Sequence, residues 1–409
     1  MSPTPFLHPY ARPAAHGADF LTIVRGEGSM VWDSEGRGYV DALASLWYCA
    51  VGHGRAELNE AATAQMSRIA AYHSFEIFTN EPAEQFAALV AARSPMPDSR
   101  VFLTSSGSEA VDTAIKLGRL VASLGGHPER HVVVSRVHAY HGVTYGGLSS
   151  SGLAPNQEHF GPYLANEKVA AHDIAEAEAV FERRGDEVAV VLCEPVQGAG
   201  GVRPPAPGYL ARLRELCDEH GALLVLDEVI TGFGRLGGWF STERYGVVPD
   251  LVTFAKGSTS GYLPLGGVVV GERVRAALEA DPSFVLRHGF TYSGHPTCCA
   301  VGVANIGVLE DEDLFARVPH LERRFAEGLG SLLADGRVAE VRGEGAIWAV
   351  GLGDHVDATG VRNEMLTRGV IARPIGSSTI GLCPPLVITD VELDRCFEAL
   401  EGALVAAGA

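Results

Sequence analysis

Between about residues 101 and 300, apolar residues fall in short runs with no polar alternation: Val101-Phe-Leu, His131-Val-Val-Val, Val188-Ala-Val-Val-Leu, Ala222-Leu-Leu-Val-Leu and Leu251-Val-Thr-Phe. Stretches of helical period, 107–123 and 207–220, lie between them. Strands that are apolar on both faces and joined by helices predict a buried, mainly parallel sheet, the α/β class. Ahead of this region, 57–71 and 82–92 place apolar residues at helical spacing, the second opened by Glu81 and Pro82 as a start signal. The first 45 residues instead show short β-like stretches broken by glycine, with Ser34-Glu35-Gly36 reading as a hairpin turn. Beyond the sheet region, 298–333 reads as one long helix, and Ala346-Ile-Trp-Ala-Val-Gly-Leu and Gly369-Val-Ile-Ala-Arg373 read as strands. The expected organisation is a large domain over 56–305 and a small α+β domain assembled from both termini, 1–55 and 306–409.

A chain of 409 residues with 46% hydrophobic and 20% charged residues is ordinary globular material. Its formal charge of −18 repels phosphate backbones and anionic lipid, which argues against nucleic-acid partners. No apolar run approaches the roughly 20 residues that span a bilayer. Met1 to Leu21 lacks the basic and apolar segments of a secretory signal, so a cytoplasmic location without membrane partners is expected. The seven cysteines form no C-x-x-C pair or zinc-like spacing and read as reduced, buried thiols.

In parallel α/β sheets ligands sit beyond the carboxyl ends of strands, which singles out three places. Val101-Phe-Leu-Thr runs into Ser105, Ser106, Gly107 and Ser108 and then a helix. That is either a plain N-cap and turn or a cradle where backbone N–H groups and the helix dipole hold an anion. Leu223-Leu-Val-Leu ends in Asp227 and Glu228, an acid that either caps the next turn or meets a buried partner. Leu251-Val-Thr-Phe-Ala ends in Lys256-Gly257, either an ion-paired lysine or an amine made nucleophilic by desolvation. An anion cradle, a carboxylate and a nucleophilic lysine together are what pyridoxal 5′-phosphate needs.

The sequence further resembles the class III (omega) aminotransferases of pyridoxal-phosphate fold type I, whose large domain holds a mainly parallel seven-stranded sheet. The resemblance is carried in order by Ser106-Gly-Ser-Glu-Ala, Tyr140-His-Gly, Glu194-Pro-Val-Gln-Gly, Leu226-Asp-Glu-Val-Ile-Thr-Gly-Phe-Gly-Arg235, Phe254-Ala-Lys-Gly, Gly261-Tyr-Leu-Pro-Leu-Gly and Thr291-Tyr-Ser-Gly-His-Pro. It implies that Ser106, Gly107 and Ser108 bind the phosphate, that Tyr140 and Val229 cover the two ring faces, and that Glu194 belongs to the cofactor site. Asp227 would pair with the ring nitrogen, and Lys256 would carry the cofactor as an internal aldimine and act as the catalytic base. Thr291 would complete the phosphate site of a neighbouring subunit in a homodimer. His141 reads as structural. The implied reaction is ping-pong transfer from an amine donor to a keto acid acceptor.

Family members that use glutamate or 2-oxoglutarate carry an arginine shortly before the C-terminal Pro-Pro and a glutamine after the Asp-Glu-Val. Here Gly381 and Ile230 stand at those places. Arg373-Pro374 matches instead the mobile arginine of amine:pyruvate and β-alanine:pyruvate enzymes, which would hold a substrate carboxylate. Trp47 and Phe20 resemble aromatic residues lining the substrate pocket of that subgroup. Tyr72 and Phe75 either reach the partner's pocket or form an aromatic core. A second reading is the enzyme that aminates 7-keto-8-aminopelargonate, which shares His8-Pro-Tyr10 and Arg-Pro but has phenylalanine where Ile375 stands. An isomerase or epimerase on the same fold would share every cofactor residue. Gly257-Ser-Thr-Ser-Gly261 lacks the central serine of a hydrolase elbow, and neither His127 with His131 nor His138 with His141 lies in a helical setting suited to a metal. The stretch 152–186 is short for the subgroup, near the expected substrate entrance.

Overall fold

The computed structural model describes residues 4–170 and 172–409, so residues 1–3 of the expected N-terminal segment lie outside it. Its strands in chain order are β1 Ile23–Glu27, β2 Met30–Asp33, β3 Gly38–Asp41, β4 Arg100–Thr104, β5 Val132–Arg136, β6 Asn166–Val169, β7 Val188–Cys193 and β8 Leu223–Asp227. There follow β9 Leu251–Phe254, β10 Gly266–Val270, β11 Glu340–Glu344, β12 Ile347–Gly351, β13 Val370–Ile371, β14 Arg373–Ile375 and β15 Thr379–Leu382. Seven of them form one sheet in the order β4-β10-β9-β8-β7-β5-β6. All run parallel except β10, which is antiparallel to both neighbours.

The both-faces-apolar runs become the buried interior of this sheet. Along β8, Leu223 and Val225 face a core under helix Gly107–Leu124, while Leu224 and Leu226 face the opposite core under helices Ile174–Arg184 and Tyr209–His220. The two-residue period of a strand thus fills two layers at once. Gly118 lets helix Gly107–Leu124 lie directly on β7, because a Cβ there would strike the Val190 side chain.

Two strands escaped the apolar pattern. β6 is an edge strand with only Val169 buried, and β10 opens on Gly266-Gly267, where a Cβ at Gly267 would run into the Phe254 ring. The expected long helix over 298–333 is two helices, Pro296–Asp311 and Val318–Ala334, with a short 3₁₀ turn Leu314–Arg317 between them. Asp313 breaks it by taking a left-handed φ of 47°, and Pro319 opens the second helix in its first turn, where the missing N–H costs nothing. The helix expected over 57–71 ends at Arg68, with Ile69 extended.

The Ser34-Glu35-Gly36 hairpin joins β2 to β3, with Gly36 at φ +81°. β3 then pairs in parallel with β13, Val40 opposite Val370, so the N-terminal segment and the tail share the sheet β1-β2-β3-β13. A second small sheet, β11-β12-β15-β14, carries the rest of the tail. All seven cysteines are free and buried. No helix of the described residues is long and apolar enough to cross a membrane.

Candidate active site

Five parallel strands deliver side chains to one place at their carboxyl ends. β4 leads to Ser106, Gly107 and Ser108, β5 to Tyr140 and His141, and β7 to Glu194. β8 ends on Asp227 with Val229 beyond it, and β9 leads to Lys256. These residues, with Ile230, line a cavity of about 170 Å³.

Ser106 is the N-cap of helix Gly107–Leu124, its hydroxyl accepting from the Glu109 N–H at 3.2 Å, so the cap reading of the sequence is correct locally. The first-turn N–H groups of Gly107 and Ser108 are left to seek an acceptor at the positive end of the helix dipole. The Ser108 hydroxyl accepts from the Val143 N–H at 3.1 Å, and both serines keep their O–H to donate. Gly107 is required by packing, since a Cβ there would lie 2.8 Å from Val229 Cγ1.

Asp227 is 5% exposed. Its Oδ1 accepts from Thr253 Oγ1 at 3.0 Å and the Val229 N–H at 3.2 Å, and its Oδ2 accepts from His141 Nδ1 at 2.7 Å. A carboxylate offers about four acceptor positions, so one, on Oδ2, stays open. His141 is buried, and its Nε2 has no hydrogen-bond partner. This contact spans 86 residues and has no local sequence signal. Glu194, also buried, accepts from the Tyr140 N–H and the Gly198 N–H at 3.0 Å each, and burial raises its pKa. It therefore fixes the loop that carries Tyr140. Glu228 faces away from the cavity onto Ser241 and Thr231, and burial pushes its pKa up to about 7.

Lys256 follows β9 directly with a left-handed φ of 42°, a conformation that costs a non-glycine residue about 1 kcal/mol or more and gathers at functional sites. Desolvation lowers its pKa to about 8 against the opposing pull of Asp227 and Glu194, so near neutrality a usable fraction of the amine is unprotonated. Lys116 and Lys168, the other two lysines of the chain, lie exposed on its surface.

Beside the cavity, next to Ile230 but outside the immediate lining, the Arg373 guanidinium stands over the buried Trp47 ring, 4.9 Å from its centroid. Desolvation lowers its pKa, and the neighbouring phenols of Tyr140 and Tyr10 oppose this. Burial raises the pKa of Tyr140, and the neighbouring Tyr10 adds to that shift. Tyr10 therefore joins the site from the N-terminal segment, although the sequence marked it only as part of His8-Pro-Tyr10. Trp47 packs with Ile230 in a small apolar cluster, and its indole N–H is buried without a partner. Gly381 lies directly opposite Arg373 in the β14-β15 pairing, and a Cβ there would sit 3.0 Å from Ile375. A second arginine at 381 would thus oppose Arg373 across the sheet, a like-charge pairing that strands disfavour.

Other expected site residues stand apart. Phe20 stacks on His8 with ring centroids 3.8 Å apart and does not line the cavity. Thr291 is exposed on the turn before helix Pro296–Asp311 and is likewise absent from the lining. Tyr72 and Phe75 are exposed, at 48% and 43%, which rules out the aromatic-core alternative.

The family description Aminotransferase class-III matches residues 12–404. The chain is 36% identical to a putrescine–pyruvate aminotransferase of Pseudomonas aeruginosa, over 94% of this chain and 92% of that one. It is 34% identical to an acetylornithine aminotransferase of Caldanaerobacter subterraneus, over 94% of each. The solved structure of an amine transaminase from an uncultivated Pseudomonas species, in its pyridoxal-phosphate-bound form, superposes with a TM-score of 0.93 at 34% identity, covering 99% of both chains. With the match running over almost its whole length, the chain belongs to the class-III aminotransferase family.

Proposed function

We propose that this protein is a pyridoxal-phosphate-dependent ω-aminotransferase that moves an amino group from a primary amine or ω-amino acid to a keto acid, with pyruvate the preferred acceptor. The observation that carries the reading is the placement of Asp227 and Lys256 at the ends of paired strands, on the same cavity as an open helix N-terminus.

The residues fit the cofactor. The free N–H groups of Gly107 and Ser108 and the two serine hydroxyls suit a phosphate. The open acceptor position on Asp227 suits a protonated ring nitrogen, Tyr140 and Val229 suit the ring faces, and Lys256 suits an aldehyde. Bound there, pyridoxal phosphate supplies an aldehyde that bonds to amines and a cationic ring that takes up the electron pair left when a substrate Cα–H is lost. The chain's own work is positional and protonic. Asp227, held by three donors including His141, would keep a ring nitrogen protonated. Lys256 would hold the group and, as a free amine, move the proton at the substrate Cα, a task its lowered pKa matches. Arg373 binds a carboxylate and, standing over Trp47, can swing aside for an uncharged amine.

Overall identity does not set the acceptor, since the putrescine–pyruvate and acetylornithine aminotransferases are about equally similar to this chain. Gly381, Ile230 and the single Arg373 support pyruvate. We also propose a cytoplasmic homodimer. Its contact face is the exposed apolar set Tyr72, Phe75, Ile77, Phe78 and Val285, near which Thr291 can reach the partner's phosphate site, and a monomer rarely leaves such a patch open. The domain division at 55/56 and 305/306 belongs to the same proposal.

The test is a donor panel of putrescine, β-alanine, 1-phenylethylamine and S-adenosylmethionine against pyruvate and 2-oxoglutarate, followed as alanine or glutamate formed. Alanine from pyruvate with at least one simple amine is expected. Activity with S-adenosylmethionine alone would favour the 7-keto-8-aminopelargonate reading, and no amino transfer with any pair would favour an isomerase.

A further inference from the structure

The segment from Asp41 to His53, on either side of Trp47, holds three side chains that the proposed reaction leaves unused. Cys49 Sγ lies 3.6 Å from His53 Nδ1, and His53 Nε2 lies 2.8 Å from Asp41 Oδ2. An ionised carboxylate only accepts, so the Asp41 contact places the imidazole proton on Nε2 and leaves Nδ1 as a lone pair facing the thiol. Asp41 is itself fixed, accepting from the Ser45 N–H at 2.7 Å and the Leu43 N–H at 3.2 Å. The imidazole is wedged as well, since a Cβ on Gly26 would lie 2.7 Å from His53 Cβ. Nucleophile, base and orienting acid are therefore in the order that activates a thiol.

Cys49 and His53 also line a cleft of about 260 Å³, with Ser45, Tyr48 and Tyr262, that shares no residue with the Lys256 cavity. No other cysteine among the described residues has its sulfur hydrogen-bonded to an imidazole.

We propose that Cys49 is a base-activated thiol that undergoes exchange with low-molecular-weight disulfides entering this cleft. His53 Nδ1 takes the Cys49 proton as the sulfur attacks one sulfur of the disulfide. The S–S bond of the reagent breaks, a new one joins it to Cys49, and the leaving thiolate takes the proton back from His53. One disulfide is consumed and one formed, with no other oxidant. Burial holds the resting thiol protonated, with its pKa near 12, so the base in contact with it is what makes the step accessible.

The experiment treats the purified holoprotein with 4,4′-dithiodipyridine at less than one equivalent per chain, followed by pyridinethione absorbance and peptide mass mapping. Cys49 is expected to take the label first, at least about tenfold faster than any of the other six thiols. His53→Gln should slow that labelling about tenfold or more, with melting temperature and the labelling rate of Cys298 unchanged, and Asp41→Asn should slow it less. A different cysteine leading in the unsubstituted protein would overturn the proposal, as would an unchanged Cys49 rate in a folded His53→Gln protein. Should that variant not fold, the labelling order in the unsubstituted protein decides alone.

Discussion

The two walls of the Lys256 cavity are built on different principles. The cofactor wall consists of strand ends and a helix N-terminus, and its acids and cap are pinned by hydrogen bonds: Asp227 by three donors, Glu194 by two, Ser106 as a cap. The substrate side, just beyond the cavity lining, consists of loops and tail strands, where Arg373 rests over the face of Trp47 and Tyr10 lies near Tyr140. Rigidity on the first side suits a reagent that must keep one orientation through both halves of a reaction. Looser stacking on the second suits a site that admits an acid and an uncharged amine in turn.

If the walls differ in this way, damage to them should differ in kind. The largest effect is expected from Asp227→Asn, which keeps the shape and removes the charge. The kcat for amine and pyruvate should fall about 10²–10³-fold, the size of losing one preorganised electrostatic partner, with KM for both substrates little changed. A loss confined to KM would place Asp227 on the wrong wall. Arg373→Ala should raise KM for pyruvate about 10–100-fold, the worth of a hydrogen-bonded charge pair, while KM for an uncharged amine stays within about threefold. Equal losses for both would mean that Arg373 supports the fold rather than the acceptor.

A smaller and graded effect is expected with pH. Desolvation has moved Lys256 from 10.5 down to about 8, so protonation dominates below pH 8 and the free amine above it. Covalent uptake of pyridoxal phosphate by the apoprotein, followed by absorbance, should rise about tenfold per unit up to pH 8 and then level off. A rate still climbing towards pH 10 would mean that the amine is not desolvated.

The same division decides what could be read from the sequence. The parallel sheet was legible because runs such as Val188-Ala-Val-Val-Leu are apolar on both faces, and Ser106, Asp227 and Lys256 because strand ends are where α/β sheets place ligands. The His141–Asp227 contact was not legible, since nothing local signals a bond across 86 residues, and His141 read as structural. The Arg373–Gly381 pairing depends on strand register, which β14 and β15 are too short to fix by pattern. The split of the expected 298–333 helix turned on the left-handed backbone of Asp313. Its acidic neighbours Asp311 and Glu312 lie within the helical spacing and gave no break. Gly266-Gly267 concealed β10 because its close packing needs glycine rather than the β-branched residues that mark a strand.

The central claim, that Lys256 is the covalent anchor, can be tested on the unsubstituted protein with unusual discrimination, because the chain has only three lysines. Borohydride reduction of the pyridoxal-phosphate-loaded protein followed by peptide mapping should place the pyridoxyl group on Lys256, at one per chain, and Lys256→Ala should abolish both the label and turnover. A label on Lys116 or Lys168 that accompanies activity, or trapping that survives in Lys256→Ala, would contradict the account.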